Sequence, residues 1–310
     1  MKEYNQKGSV LIITLIIMSI AVTLAFYIIK LSKDILSTSS MILDKLEAKI
    51  EAESTVELLK YLVSTNSFGK DHIKINTKNI ESKNIGISLP EKIWINGEAV
   101  EIGNTKIKAL DTNSKFDISS LDETLLRRIL KYSGLKDKDI AVASDSYADW
   151  IDPDNLKHLN GAERYYYQFE KGYKYSPRNN ANIQSIDELK LIRGFGDIYD
   201  KIKNRLILAY KGGINIYTAD AETLAIALGI SIDNAKQILK IREKEKLYGE
   251  LSQPIEESYE DFEGIIATFP SFILELNVET TKSEAKEKIY CIISFRPDEK
   301  TPFRTIKYQQ

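Results

Sequence analysis

The sequence predicts an α+β protein in which a long N-terminal helix packs on an antiparallel sheet and a large all-α domain is inserted into that sheet. Three observations predict this class. An apolar run opens the chain, β-favouring segments precede and follow a central region, and the central region consists of paired helical segments. An insertion of this kind requires its two ends to lie close together, which neighbouring strands of one sheet allow.

The run from Gly8 to Ile29 contains no charged residue. It is long enough to cross a bilayer, which takes about 20 apolar residues in a helix. A secretory signal peptide has a shorter apolar region and an A-x-A-like cleavage site, and neither is evident here. We therefore expect a transmembrane helix over residues 9–29. From this run alone, an ordinary membrane anchor stays open as an interpretation.

Residues 30–65 are expected to continue the same helix into solvent. Charged residues alternate with apolar ones that recur close to a helical period, at Leu31, Ile35, Ile42, Leu46, Ile50, Leu59 and Leu62. The pattern predicts an amphipathic helix with one apolar face.

Residues 66–116 and 254–310 are rich in β-favouring residues, and we expect them to form one β-domain. Asn96-Gly97 predicts a two-residue hairpin turn, because both residues tolerate positive φ. Cys291, the single cysteine, is expected to be a buried apolar residue on a strand, so no internal disulfide is possible.

Residues 117–253 are expected to form the inserted helical domain as three helix pairs of the helix-hairpin-helix type. Ser120 with Glu123 and Ser185 with Glu188 each fit a capping box at a helix start. Ser231 is placed to cap the last helix.

Composition excludes several functions. The net charge is −2, and residues 1 to 30 are positive, so the remainder is mildly acidic and a poor non-specific binder of nucleic acid. Two histidines and one cysteine leave almost no means of building a zinc site.

An acidic loop follows the first helix pair. Asp152 and Asp154 flank Pro153, and Glu163 follows Gly161 in a segment that cannot be helical throughout. Hard cations such as Ca²⁺ take carboxylate, carbonyl and water oxygens, which such a loop supplies. We expect Asp152, Asp154 and Glu163 to bind calcium. The alternative is an acidic turn that caps helices.

Two other functions are open from the residues alone. Gly194-Phe195-Gly196 is the kind of turn that brings backbone amides to a DNA phosphate, as in a competence-type DNA-binding pilin. Asp197 and Asp233 would face that phosphate, and their negative charge counts against DNA binding.

A membrane-anchored periplasmic hydrolase would use a serine with His158 and a nearby aspartate, but no nucleophile elbow or ordered triad is visible.

The order of segments resembles the type II secretion minor pseudopilin K family, or general secretion pathway protein K, within the type IV pilin and pseudopilin superfamily. The resemblance covers nearly the whole chain, and its weight is in the sum of its motifs in this order. The matching residues are Asp149, Trp150, Asp152, Asp154, Gly161, Ala162, Glu163, Tyr166, Asn180, Glu188, Leu189, Gly194, Phe195, Ile214, Asn215, Thr218 and Ala219.

The resemblance implies a pilin-like fold and a non-enzymatic subunit at the tip of the type II secretion pseudopilus, capping or initiating the filament that drives export of folded proteins across the outer membrane. Its implied partners are other minor pseudopilins and the major pseudopilin, which would contact the helix along Leu31, Ile35, Ile42 and Leu46. The chain would cross the inner membrane of a Gram-negative bacterium once, with its bulk in the periplasm.

Processing is implied as well. Residues 1–8 resemble a prepilin leader, which prepilin peptidase would cleave between Gly8 and Ser9. The superfamily usually has Glu at the fifth mature position, where this chain has Ile13. That Glu neutralises the N-terminal amine of the subunit above it, so a subunit with none above it does not need the carboxylate.

Two departures from the family pattern are Arg164 and Tyr217. Arg164 places a positive charge beside Glu163 in the sequence. This charge is expected to weaken a cation site and leaves the number of calcium ions open.

Overall fold

A computed structural model describes residues 6–76, 88–177, 183–208, 212–243, 265–296 and 301–310. Its first element is α1 (Gln6–Thr65), a single helix of 60 residues. Every described side chain from Val10 to Leu43 is exposed, and burial begins near Ala48. The α+β class predicted from the sequence, with a long helix packed on an antiparallel sheet, is confirmed.

Two antiparallel sheets surround the buried end of α1. The smaller is β1 (Ser67–Phe68), β2 (His72–Lys74) and β3 (Lys92–Trp94). The larger is made of β4 (Asn96–Ile102), β5 (Thr105–Asp111) and three strands from the end of the chain, β10 (Ile273–Lys282), β11 (Ala285–Ser294) and β12 (Arg304–Gln309), in the order β12-β11-β10-β5-β4.

The pairing of β5 with β10 makes the helical region an insertion. Ala109 lies opposite Leu276, although the two residues are far apart in sequence. One face of this sheet packs on Ala52, Val56, Leu59, Leu62 and Val63 of α1. Cys291 is fully buried on β11 in the same core, as predicted.

The predicted hairpin turn at Asn96-Gly97 is wrong. Gly97 has φ of 89°, but it lies at a register shift inside β4, and the reversal follows at Gly103, between β4 and β5. Ile95 explains the difference. Its amide donates to the Asp71 carbonyl at 2.9 Å and its carbonyl accepts from the Asp111 amide at 2.8 Å. Residue 95 therefore joins the two sheets instead of ending a hairpin.

The inserted region has the remaining elements. Its helices are α2 (Glu123–Tyr132), α3 (Asp137–Ile151), α4 (Tyr199–Ile202), α5 (Ala221–Leu228) and α6 (Ile232–Glu243). Two inner strands of this region pair in parallel with strands at its boundaries. They are β7 (Leu206–Ile207) with β6 (Phe116–Asp117), and β8 (Ile214–Asn215) with β9 (Ile266–Ala267).

Only the first and third predicted helix pairs are regular. The second is a 3-10 segment, Ile186–Leu191, followed by the single turn of α4. Gly194 and Gly196 lie between them, and glycine in a helix interior costs about 1 kcal/mol relative to alanine. This segment is held by packing, because Phe195 between the glycines is fully buried.

The predicted caps are partly wrong. At α2 the cap is Asp122, whose Oδ1 accepts from the Leu125 amide at 2.7 Å, and Ser120 instead donates to the Asp117 carbonyl. Ser185 accepts from the Asp187 amide, and Glu188 reaches back to the Gln184 amide. Ser231 accepts from the Asn234 amide at 3.2 Å, as predicted for α6. An aspartate nearer the helix start replaces the serine at α2 because its carboxylate also favours the positive helix end.

Candidate metal site and assembly surface

Helix α3 carries three carboxylates on one face. Asp145, Asp149 and Asp152 are spaced four and three residues apart, so they project from successive turns. Asp149 is fully buried, and Asp152 ends the helix in an extended conformation with ψ of 165°. Pro153 explains that end, because the residue before a proline is disfavoured in helical geometry.

The loop after α3 folds back onto these carboxylates. The His158 amide donates to Asp149 Oδ1 at 3.0 Å, and the Asn160 amide and side chain both donate to Asp145 Oδ2 at 3.0 Å. A Cβ at Gly161 would collide with the Asp149 carboxylate. Glycine is therefore required for this close approach, which carries the chain on to Glu163.

The fold brings together all three residues that the sequence predicts as calcium ligands. Ligand oxygens of Asp152, Asp154 and Glu163 lie within 4.8 Å of one another. A second group shares Asp152 and adds Asp149 and His158 within the same distance. Asp149 and His158 were not predicted as metal ligands, although the spacing of Asp149 and Asp152 in the sequence was available as a signal.

The cluster contains more carboxylate oxygens than donors. Within the described residues, the buried atoms Asp149 Oδ2, Asp152 Oδ1 and Glu163 Oε1 accept no hydrogen bond. Burial, followed by repulsion from Asp149 and Asp152, raises the pKa of Glu163 to about 7. Burial also raises the pKa of Asp152, with Asp154 and Asp149 adding to it. The arrangement favours a positively charged ligand or protons.

Arg164 does not extend into the cluster. Its Nε donates to Gln168 Oε1 at 2.8 Å along an exposed surface, and only its backbone amide contacts Glu163, at 3.3 Å. A guanidinium in this position is solvated, so its repulsion of a cation at Glu163 is screened.

The predicted subunit contacts lie on the exposed half of α1. Leu31, Ile35, Ile42 and Leu46 are 46%, 56%, 63% and 51% exposed. The helix contains a segment apolar enough to cross a membrane, and Ile13 lies within it. Gly8 and Ser9 lie in α1, but the side chain of Ser9 and the first five residues of the predicted leader lie outside the described part of the structure.

The Gly194-Phe195-Gly196 turn packs inward. A Cβ at Gly194 would lie 2.9 Å from Ala143 on α3, so the glycine serves a close contact between segments. Phe195 fills the core, and Asp197 is exposed. Several cations of the second and third helical segments are paired with carboxylates, namely Lys190 with Asp187, Lys203 with Asp200, Arg205 with Glu222 and Lys236 with Asp233.

His158 has acidic neighbours. Its Nδ1 contacts an Asp149 oxygen and lies 4.0 Å from Asp152 Oδ2. The hydrogen bond to Asp149 raises the pKa of His158. In the parts of the chain that are described, its ring makes no hydrogen bond to a serine hydroxyl.

Of the remaining motif residues, Asn180 lies outside the described ranges. Asn215 and Thr218 contact Asp111 at the end of β5, where they join the helical insertion to the sheet.

Comparison with known proteins gives two matches. Residues 105–210 match the family model described as type II secretion system (T2SS), protein K. The fold matches a chain in the crystal structure of the GspK-GspI-GspJ complex from the enterotoxigenic Escherichia coli type 2 secretion system, with a TM-score of 0.53 and 13% identity over 88% of this chain and 97% of that chain. At this identity the likeness concerns the fold alone. No curated protein sequence matches the chain.

Proposed function

We propose, from the premise that this chain carries a protein K domain of the type II secretion system over residues 105–210, that it is a minor pseudopilin at the tip of the pseudopilus. There it would cap or initiate the filament. The observation that carries the proposal is the combination of this domain with a single long helix whose first half is apolar and exposed in the isolated chain.

Two features support a place at the tip. Ile13 occupies the position where a carboxylate would neutralise the amine of a subunit above. The inserted domain has its own hydrophobic core beside that of the small β-domain around α1. Within a filament, a domain of this size would obstruct the neighbouring subunits. A terminal subunit has no amine above it to neutralise, and it has room for a bulky domain on its free side.

The partners we infer are other minor pseudopilins and the major pseudopilin below them, as the similar structure contains a complex of three such proteins. Leu31, Ile35, Ile42 and Leu46 would form the contact. Burial of a leucine or isoleucine contributes about 1.5–3 kcal/mol, so four such side chains are sufficient to drive helix packing.

The location we infer is the inner membrane of a Gram-negative bacterium, crossed once by α1 after cleavage between Gly8 and Ser9 by prepilin peptidase. The sheet and the inserted domain would lie in the periplasm. Removal of the apolar helix from lipid during assembly would be offset by packing against partner helices.

We further propose that calcium binds Asp152, Asp154 and Glu163. The converging oxygens and the buried oxygens without donors support a hard cation there. Bound calcium would neutralise the carboxylates and hold the loop on α3, with no catalytic step. The role is therefore non-enzymatic, and the ion pairs around the second and third helical segments favour a structural role for them over DNA binding.

The test is a pull-down of the full chain in detergent with the minor pseudopilins of the same organism. We expect a complex that Ile42→Asp together with Leu46→Asp abolishes, while the circular dichroism spectrum and the melting temperature stay unchanged, because both side chains are exposed in the isolated chain. Leu191→Asp, at an exposed leucine of the inserted domain, is the control and should bind normally. Absence of a complex with the unsubstituted chain would refute the assembly role.

A further inference from the structure

A second group of converging ligand atoms lies beside the proposed calcium site and includes an imidazole. Asp149, Asp152 and His158 each offer one such atom, and these atoms lie within 4.8 Å of one another. His158 Nδ1 contacts an oxygen of Asp149 and lies 4.0 Å from Asp152 Oδ2. The group therefore combines a nitrogen with carboxylate oxygens, whereas the calcium group of Asp152, Asp154 and Glu163 has oxygens alone.

The backbone around His158 holds its ring against the end of α3. The His158 amide donates to Asp149 Oδ1 at 3.0 Å, and the His158 carbonyl accepts from the Gly161 amide at 3.0 Å. One turn earlier on α3, Asp145 Oδ2 accepts from the Asn160 amide at 3.0 Å. Because the loop is bonded to two successive turns of α3, a metal would find its ligands already close together, and less conformational entropy would be lost on binding.

Two buried oxygens of this group have no hydrogen-bond donor among the described residues. Asp149 is fully buried and its Oδ2 is one of these atoms, and Asp152 Oδ1 is the other. A buried carboxylate oxygen without a donor is destabilising. His158 Nδ1 contacts Asp149 Oδ1, so a histidine–aspartate ion pair would leave both of these oxygens unpaired. A dication binds several oxygens at once, and the unpaired oxygens therefore indicate a metal ligand in addition to the imidazole.

Fixed cations do not occupy this position. Within the described ranges, His158 is the only basic side chain that pairs with Asp149 or Asp152. Arg127 of α2 reaches α3, but it pairs with Asp145 at 3.6 Å. The negative charge of the two carboxylates is therefore not cancelled by a lysine or arginine in contact with them, and it favours a bound cation.

The nitrogen ligand decides which class of cation fits this group. Calcium takes oxygen ligands, whereas imidazole together with carboxylates suits first-row transition dications such as Zn²⁺. Zinc binds histidine nitrogen and carboxylate oxygen at about 2.0–2.2 Å, and three protein ligands leave a fourth position for water. The His158 side chain is 51% exposed, so water has access to that position. The two histidines and one cysteine of the chain are too few for a zinc site, but the fold adds two aspartates to one histidine.

We propose that Asp149, Asp152 and His158 bind a transition-metal dication of the zinc class, with Asp152 at the boundary with the calcium group. The metal would join the end of α3 to the loop that follows it and would neutralise the two carboxylates. The proposal requires neither the pseudopilin role nor calcium binding at Asp154 and Glu163, because those two residues are not in this group.

The test is isothermal titration calorimetry of the metal-stripped full chain in detergent, with Zn²⁺ added in the presence of excess Ca²⁺. We expect zinc to bind under these conditions. His158→Gln should weaken zinc binding by about hundredfold or more, because loss of a side chain that merely orients a metal ligand already costs about 10–100-fold. The same variant should keep the calcium-induced rise in melting temperature, which would show that its loop is folded. Glu163→Gln should keep zinc binding.

His72→Gln is the matched control. His72 Nδ1 lies 2.7 Å from Asp71 Oδ1, but this pair belongs to no group of three ligands in the described part of the chain, so the variant should bind zinc like the unsubstituted protein. No zinc binding, displacement of zinc by calcium, or equal losses in the two histidine variants would each overturn the proposal.

Glu163→Gln separates this proposal from the calcium site. Loss of both zinc binding and the calcium response in this variant would overturn the proposal, because the two groups would then form a single site. Zinc binding by the unsubstituted chain without any calcium response would support the zinc-class site and count against the calcium site alone.

Discussion

Trp150 donates from its indole nitrogen to Glu188 Oε1 at 2.9 Å, and both side chains are buried. The bond joins the end of α3 to the Ile186–Leu191 segment. The other Glu188 oxygen accepts from the Gln184 amide at 3.0 Å. One carboxylate therefore holds two segments of the inserted domain together beside the acidic cluster.

Glu188→Ala should lower the free energy of unfolding of the inserted domain by about 2–3 kcal/mol, since the buried indole of Trp150 and the amide of Gln184 both lose their acceptor. Urea denaturation of the full chain in detergent, followed by circular dichroism, measures the loss. In a Trp150→Phe background, where one donor is absent, the same substitution should cost less. An equal cost in both backgrounds would contradict the importance of the bond.

Asp111 joins the inserted domain to the sheet. Its Oδ1 accepts from the Ser271 amide at 2.9 Å and its Oδ2 from Asn215 Nδ2 at 2.8 Å, all fully buried or nearly so. Asp111→Ala should destabilise the chain by about 3 kcal/mol or more, because these donors are left unpaired in the interior. Limited proteolysis should then cleave between the β-domain and the insertion. Thr105→Val, at another buried polar residue of β5, is the comparison and should leave this joint protected.

The acidic cluster should make stability fall as pH rises when calcium is chelated. The folded-state pKa of Glu163 is raised to about 7 from 4.5, so the folded state holds a proton that the unfolded state has lost across that range. The pKa values of Asp152 and His158 are also raised, so their titration likewise lowers stability as pH rises. The melting temperature in chelator should therefore be lower near pH 8 than near pH 5.

Glu163→Gln is the variant that isolates this effect. A neutral amide removes the titration, so the pH dependence should flatten and the chelated protein should be more stable than the unsubstituted one near pH 8. Added calcium should raise the melting temperature of the unsubstituted chain and have little effect on the variant. A full calcium response in Glu163→Gln would count against the site.

Ser283 occupies the two-residue turn between β10 and β11 with φ of 53°. A non-glycine residue in the left-handed conformation costs about 1–2 kcal/mol, which glycine avoids. The greater entropy of glycine in the unfolded chain offsets about 0.4–1 kcal/mol of that gain. Ser283→Gly should therefore stabilise the chain by roughly 0.5–1 kcal/mol in urea denaturation. Glu284→Gly, at the other turn residue, is the control and should be neutral or destabilising, because φ is not positive there.

Sequence patterns predicted the elements with strong local signals. The apolar run before Lys30 and the helical period beyond it predicted α1, and Ser231 predicted the start of α6. Two of the wrong predictions have one cause. Asn96-Gly97 and Ser120 carry acceptable local chemistry for a hairpin turn and a cap, but Ile95 and Asp122 make better use of the hydrogen-bonding groups around them once the sheets and α2 are packed.

Residue type and spacing were sufficient to predict an apolar helix long enough for a membrane, an interrupted β-domain and a loop with Asp152, Asp154 and Glu163. The packed structure was needed to reveal that Asp149 and His158 adjoin that loop, and that Leu159 and Phe169 are exposed. Which oxygens converge, and which side chains lose water, depends on contacts between segments distant in the chain. No local pattern encodes such contacts.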